Sequence, residues 1–348
     1  MTRNQVELLS AGVAAIAAIV FAATATLRVM AHSNTTQVMW TVDVAPIVEA
    51  RCVGCHQPNG FGPMSLASYA EARPWAKAIR DEVLSGRMPP WSAVRGFGDF
   101  SNDRSLSAVE IELLSRWADG GAPLGPDGVA LRRDRATRRP QLPAVRVDLP
   151  AVPTSGGSTV RLVAPLTFSE ERWISGWQFD PGIPALVEEA VLSIGDTTVG
   201  SWTPLDGAIS YPRGVAERLP AGAHLGVAIR YRRSSEPQED RSALIFRFGK
   251  RPPRPLQHRA FECGALVVDR NIDVLAVTPR PAAAGDSMEV TAHRADASVE
   301  PLCVIARFHP EYTPTYRLRV PAPLDRGTRI DVRSSSVGCT ATIDYVTR

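Results

Sequence analysis

The run Arg51-Cys52-Val53-Gly54-Cys55-His56 carries the densest chemistry in the chain. In a C-x-x-C-H spacing, two thiols on one turn can add to the two vinyl groups of a haem, and the next residue sets an imidazole under the iron. A stray match or half of a zinc site is the competing reading. A zinc site of that kind needs a second C-x-x-C or an H-x-x-x-H, and neither follows in the sequence. Cys52 and Cys55 are therefore the expected thioether attachment points, and His56 the proximal axial ligand of one covalently bound haem c.

The sixth iron ligand is expected to be a thioether, because no second histidine lies near the motif and Met64 and Met88 do. Met88 stands in Gly86-Arg87-Met88-Pro89-Pro90-Trp91, where two prolines remove backbone donors and favour an extended loop. Such a loop suits a sulfur held rigidly toward iron, so Met88 is preferred. Met64 and an open or water-ligated iron are the alternatives. Thioether ligation raises the potential of the iron. Trp75, Trp91 and Trp117 are expected as walls of the cavity.

The elements that must position these groups can be read from periodicity. Val42 to Ala50 spaces its apolar residues at helical intervals and leads straight into the motif. A second helix is expected from Tyr69 to Ser85, started or kinked at Pro74. A third is expected from Ser107 to Ala118, with Ser107 and Glu110 in capping-box spacing and Gly120-Gly121 as its stop.

Around this core the chain is long, at 348 residues, enough for two or three cores. Its formal net charge of +3 gives no reason to expect nucleic acid. The 29 prolines and 26 glycines favour short strands and turns over a helical protein. Of five cysteines the haem would take two; Cys263, Cys303 and Cys339 remain, so one pair could bridge and one thiol stay free. Leu8 to Leu27 is an uncharged apolar run long enough, at about 1.5 Å per residue, to cross about 30 Å of hydrocarbon. It is expected as a retained transmembrane anchor in lipid, with a cleaved signal ending near Val29-Met30-Ala31 as the alternative. Either way the remainder would be exported, which places the protein at the bacterial inner membrane with its bulk in the periplasm, where haem c is attached.

The stretch from Asp43 to Pro123 resembles the monohaem cytochrome c domain of exported bacterial proteins. The matching motifs are Asp43-Val44-Ala45-Pro46-Ile47, the C-x-x-C-H itself, Pro63-Met64-Ser65-Leu66, Ala72-Arg73-Pro74-Trp75-Ala76-Lys77, Met88-Pro89-Pro90-Trp91 and Phe100 to Ser107. The resemblance implies a cytochrome c fold with Met88 as distal ligand.

Beyond residue 126 the pattern changes. Residues 127–157 look like a connector, with Arg132-Arg133-Asp134-Arg135, Arg138-Arg139 and recurrent proline. From Thr159 onward apolar residues alternate in short runs: Thr159 to Val163, Ala190 to Ile194, His224 to Tyr231, Ala243 to Phe248, Ser287 to Ala292, Cys303 to Phe308, Thr315 to Val320, Thr328 to Val332 and Ala341 to Val346. Short strands set off by turn residues indicate antiparallel sandwiches, one over 158–262 and one over 263–348. This half resembles the two β-domains of copper type II, ascorbate-dependent monooxygenases such as the peptidylglycine α-hydroxylating enzyme, through Trp177 to Pro184, Leu219 to His224 with Ile229 to Arg232, Glu289 to Ala292, Tyr316 to Leu318 and Gly327 to Ile330. That family binds one copper through a His-His pair and a strand histidine, and another through His-x-His and a methionine. By position those ligands fall here on Glu188, Glu189, Arg230, Arg280 and Ala282, and no methionine follows Met288. Arginine does not ligate copper, so copper is not expected. Glu188, Glu189 and Arg230 are expected to form an ion-paired network instead.

The expected fold class is thus a multidomain α + all-β chain: an N-terminal transmembrane helix (1–37), a small helical cytochrome c domain (38–126), a linker, and two jelly-roll-like antiparallel β-sandwiches. The expected function is electron transfer by a membrane-anchored periplasmic monohaem cytochrome or a cytochrome-containing subunit, with non-catalytic β-domains used for docking. Its partner would be a membrane-embedded respiratory or photosynthetic redox complex or a small redox protein. A haem/copper oxygenase with a remodelled copper site, or a purely structural subunit, are the alternatives.

Overall fold

The computed structural model describes residues 37–126 and 144–348, apart from 155, 156, 165–167, 235, 237, 253 and 311. The apolar run at 8–27 and the arginine cluster at 132–139 lie outside the described residues. The molecule is mostly β, 42% strand against 14% helix. This corrects the expected fold class. Among the described residues the helices are short, the longest being Ala108–Asp119. Among the described residues no helix is long and apolar enough to cross a membrane. Against the transmembrane character and the inner-membrane, single-pass localisation expected from the sequence stands this finding alone, since the run that would carry them, 8–27, lies outside the described residues.

The helical expectations shrink for local reasons. Val42 to Ala50 becomes a π-helical turn, Trp40–Val44, followed by a helix Ala45–Arg51 with Pro46 in its first turn. The Tyr69 to Ser85 segment breaks where Pro74 forces a 3₁₀ turn, Arg73–Trp75, between helices Tyr69–Ala72 and Ala76–Leu84. Ser107 and Glu110 do form the capping box ahead of Ala108–Asp119. These pieces enclose a core of Trp40, Val44, Ile79, Leu114 and Trp117, with Trp40 and Trp117 ring centroids 5.5 Å apart.

The β region consists of pairs of sheets sharing cores. In the first unit, strands Ala144–Asp148, Ala243–Gly249, Arg172–Asp180 and Val215–Leu219 line one sheet; Thr159–Val163, Leu225–Tyr231, Val187–Ile194 and Thr197–Trp202 line another. Their inward residues, among them Trp177, Phe179, Ile229 and Phe246, form one buried cluster. Strand Ala144–Asp148 lies within the expected connector, so the first unit begins before Thr159. In the second unit, Gln257–Glu262, Thr340–Thr347, Ile272–Arg280 and Tyr316–Leu324 pair in one sheet; Gly264–Val267, Arg329–Ser334, Met288–His293 and Val299–Ile305 pair in the other. Cys263 and Cys339 form a disulfide, with Cα atoms 5.4 Å apart, and Cys303 stays a buried free thiol.

The segment after Met88 does not belong to a separate helical body. Ala93 bridges to Ile305 and Phe100 to Leu318, and Val94 N–H donates to the Val304 carbonyl at 2.8 Å. Strands Val299–Ile305 and Tyr316–Leu324 are the outer strands of their two sheets. Residues 93–101 therefore pair with one edge of each sheet of the second unit, satisfying backbone groups that would otherwise be open to pairing with other chains. Trp91 and Phe100 pack on Tyr316, at 4.9 and 5.2 Å between ring centroids.

A buried histidine joins the two β units. His258 Nδ1 lies 2.7 Å from Asp344 Oδ1 and its Nε2 lies 2.5 Å from Glu217 Oε2. Glu217 comes from the first unit and Asp344 from the last strand of the second. With a carboxylate on each nitrogen, the ring is held as an imidazolium. Burial favours the neutral form, but the hydrogen bonds to Asp344 and Glu217 outweigh it and raise the pKa to about 10. An unfolded histidine titrates near about 6.5. The stabilisation is thus complete below about pH 6.5 and is lost progressively as pH rises through 10. The expected result is a melting temperature that falls between pH 7 and 10 in the wild type and stays flatter over that interval in His258→Gln; equal slopes in the two proteins, measured by thermal denaturation, would sink this assignment.

Candidate functional site

The C-x-x-C-H stretch continues directly from the helix Ala45–Arg51. Cys52 N–H donates to the Val48 carbonyl at 2.9 Å, and Cys55 and His56 N–H groups turn back onto the Cys52 carbonyl at 3.1 and 2.9 Å. This folds the two sulfurs and the imidazole into one compact turn. Arg51 anchors it: its Nε lies 3.0 Å from Glu110 Oε1, and its Nη1 donates to the Asp103 carbonyl at 3.2 Å. The capping box of one helix thereby fixes the end of another.

His56 is held from behind. Its Nδ1 lies 3.1 Å from the Met64 carbonyl, which makes Nδ1 the protonated nitrogen and leaves the Nε2 lone pair free. Burial lowers its pKa against the contrary pull of that carbonyl, so the ring is neutral at physiological pH. Gly62 makes the seat possible, since a Cβ there would lie 2.5 Å from His56 Nδ1. Leu66 N–H donates to the His56 carbonyl at 2.9 Å and closes the loop.

Burial pushes the Cys52 thiol up to about 12 and the Cys55 thiol up to about 11. Both are free thiols and protonated at neutral pH. A reactive redox dithiol needs a depressed value, and burial here works the other way.

Cys52, Cys55 and His56 open into a cleft whose lining also includes Met64, Trp75, Ile79, Val83 and Met88. The walls are largely apolar, as in sites that hold small molecules and cofactors. Met64 and Met88, both expected candidates, face the same cleft; the Met88–Pro89 peptide is cis. Of the tryptophans expected as walls only Trp75 lines it. Trp117 is fully buried in the helical core and Trp91 sits on Tyr316.

The remaining wall was not legible in the sequence. Leu205 and Arg232 of the first β unit and Tyr312 of the second complete the lining. The Arg232 guanidinium lies 3.6 Å from the centroid of Phe61 and donates to the Phe61 carbonyl at 3.2 Å, and Tyr312 meets Phe61 edge-on at 5.8 Å. The Cys55 thiol approaches the Pro204 carbonyl at 3.6 Å. No local pattern announces these residues, because each sits in a connection outside the strands.

The ion-paired network expected in the β region is present. Arg230 Nη1 lies 2.9 Å from Glu188 and Nη2 3.5 Å from Glu189, with Nη2 also donating to the Pro310 carbonyl at 3.0 Å. Arg280 of the second unit joins it, 2.6 Å from Glu189 Oε1, which also accepts from Thr313 Oγ1 at 3.0 Å. The network fastens the two units together. Among the described residues no three His, Cys, Asp or Glu side chains gather in a way that could hold a metal ion, which corrects the expectation of a metal-binding protein.

No family model matches the chain, and no curated protein does. Solved structures give distant likenesses. The major capsid protein P2 of bacteriophage PM2 is 9% identical over 59% of this chain and 97% of its own, with a TM-score of 0.31. The turret protein A223 of Sulfolobus turreted icosahedral virus is 12% identical over 60% and 100%, with a TM-score of 0.18. A Bacillus subtilis oxalate decarboxylase is 8% identical over 57% and 72%, with a TM-score of 0.15. Scores this low carry no functional argument.

The seat of His56 gives a direct test. In Gly62→Ala the added methyl overlaps the ring, so the imidazole must leave the Met64 carbonyl. Nitrogen NMR of the histidine side chains is expected to show a single Nδ1–H tautomer for His56 in the wild type and a mixture in the variant; an unchanged tautomer in Gly62→Ala would refute this reading of the seat.

Proposed function

We propose that the chain is a monohaem c-type electron-transfer protein, with Cys52 and Cys55 as thioether attachment points and His56 as proximal ligand. The observation that carries this reading is the convergence of two protonated thiols, a neutral imidazole with a free Nε2, and two methionine thioethers on one apolar cleft. The donor set suits a porphyrin iron, and the cleft, largely walled by apolar side chains, suits its faces. When bound, haem c would supply a one-electron iron couple.

The chain's own residues have separable tasks in this reading. The Met64 carbonyl orients His56, and Gly62 leaves room for the ring. Both methionines line the cleft, and Met88 is the proposed distal thioether, with Met64 the alternative. Ile79, Val83 and Trp75 exclude water from the faces of the ring, which favours the less charged reduced state. The β units act as docking and supporting modules that close the cleft with Leu205, Arg232 and Tyr312. The electron partner is a small redox protein or a larger redox complex that reaches the open side of the cleft.

A haem/copper oxygenase is the second reading, and the geometry gives it less support. Glu188, Glu189, Arg230 and Arg280 neutralise one another, and no imidazole stands among them.

The test is absorbance of the alkaline pyridine adduct together with metal analysis of the purified protein. The expected outcome is one covalent haem per chain, absent from Cys52→Ala/Cys55→Ala. In Met88→Ala haem content should persist while the thioether-to-ferric-iron band disappears and the midpoint potential falls. A wild-type chain without covalent haem would overturn the proposal, and stoichiometric copper would turn it toward the second reading.

A further inference from the structure

Arg232 is a charged group in an unusual position. It is half-buried on the wall of an apolar cleft, its guanidinium stacked on Phe61 and donating one hydrogen bond to the Phe61 carbonyl. No carboxylate pairs with it among the described residues. Other arginines near the site are neutralised: Arg51 by Glu110 and Arg87 by Glu82. The Arg232 wall of the cleft therefore carries an uncompensated positive charge against largely apolar surroundings.

A partly desolvated guanidinium with unused donors is costly unless an anion completes its shell, and its planar fork matches a carboxylate. We infer that Arg232 is the anion-binding residue of the cleft, pairing with a carboxylate on the rim of a flat, apolar ligand. The inference rests on the reading of the cleft as a haem site, in which that carboxylate is a porphyrin propionate. The first β unit then contributes a binding group, so the site is incomplete without it. Loss of the positive charge removes a stabilisation of the reduced, less positive iron centre and lowers its potential.

The experiment uses the full-length haem-loaded chain and three variants: Arg232→Gln, Arg232→Lys and Phe61→Leu. Arg232→Gln is expected to keep one covalent haem, to lower the midpoint potential, and to shift the propionate-bending band in resonance Raman spectra. Arg232→Lys should restore most of the potential but less of the band shift, because an ammonium supplies charge without the planar fork. Phe61→Leu disturbs the stacking while leaving the charge, and should change neither readout by as much as Arg232→Gln. An Arg232→Gln holoprotein with unchanged potential and an unchanged propionate band overturns the inference alone. Equal effects from Phe61→Leu and Arg232→Gln also overturn it, by assigning the change to packing. Absence of covalent haem from the wild type overturns both the inference and the reading beneath it.

Discussion

The constraint on which the rest of this molecule depends is the packing of Trp91 and Phe100 on Tyr316. Those rings fix the segment that follows Met88 against the second β unit, and with it the position of Met88 at the cleft. Once the aromatic contacts form, backbone groups at Ala93, Val94 and Ser101 pair with Ile305, Val304 and Arg317, and two sheet edges are closed. Aromatic burial supplies the free energy, and edge pairing sets the register. The loop that faces the apolar cleft is thus also the cover of a β core.

From that junction the second unit reaches the first unit and the helical part through Pro310, Tyr312, Thr313 and Thr315. The Pro310 carbonyl and Thr313 engage Arg230 and Glu189 of the first unit. Tyr312 meets Phe61 beside the cysteine motif, and Asn102 donates to the Thr315 carbonyl. Polar contacts at these places are few and partly buried, so each has more effect on orientation than an exposed ion pair would.

Much of the local structure was legible in the sequence. Alternation marked strands such as Leu225–Tyr231, Ala243–Gly249 and Met288–His293 to within a residue or two. The Ser107–Glu110 spacing named its helix start, and Glu188, Glu189 and Arg230 announced an ion-paired group by charge alone. What stayed hidden was long-range. Nothing local distinguishes Trp91, packed under a distant tyrosine, from Trp75, on the cleft wall. Arg232 and Tyr312 gain their roles only because the chain returns to the cleft more than a hundred residues after the cysteine motif. The same holds for His258, an isolated histidine in the sequence whose carboxylate neighbours arrive from two different strands. The Pro74 break was legible, as the start or kink its ring imposes, whereas nothing local shows that residues 93–101 are held by sheet edges.

The imidazolium shared between Glu217 and Asp344 bears on how the chain can be divided. Severing it between the β units leaves Glu217 on one fragment without its counter-ion, and on the other the His258–Asp344 pair with one ring nitrogen unpartnered. The halves are therefore not interchangeable building blocks. Exchange of one of them between related chains is constrained to carry a matching acid or base across the seam, so the two halves must change together.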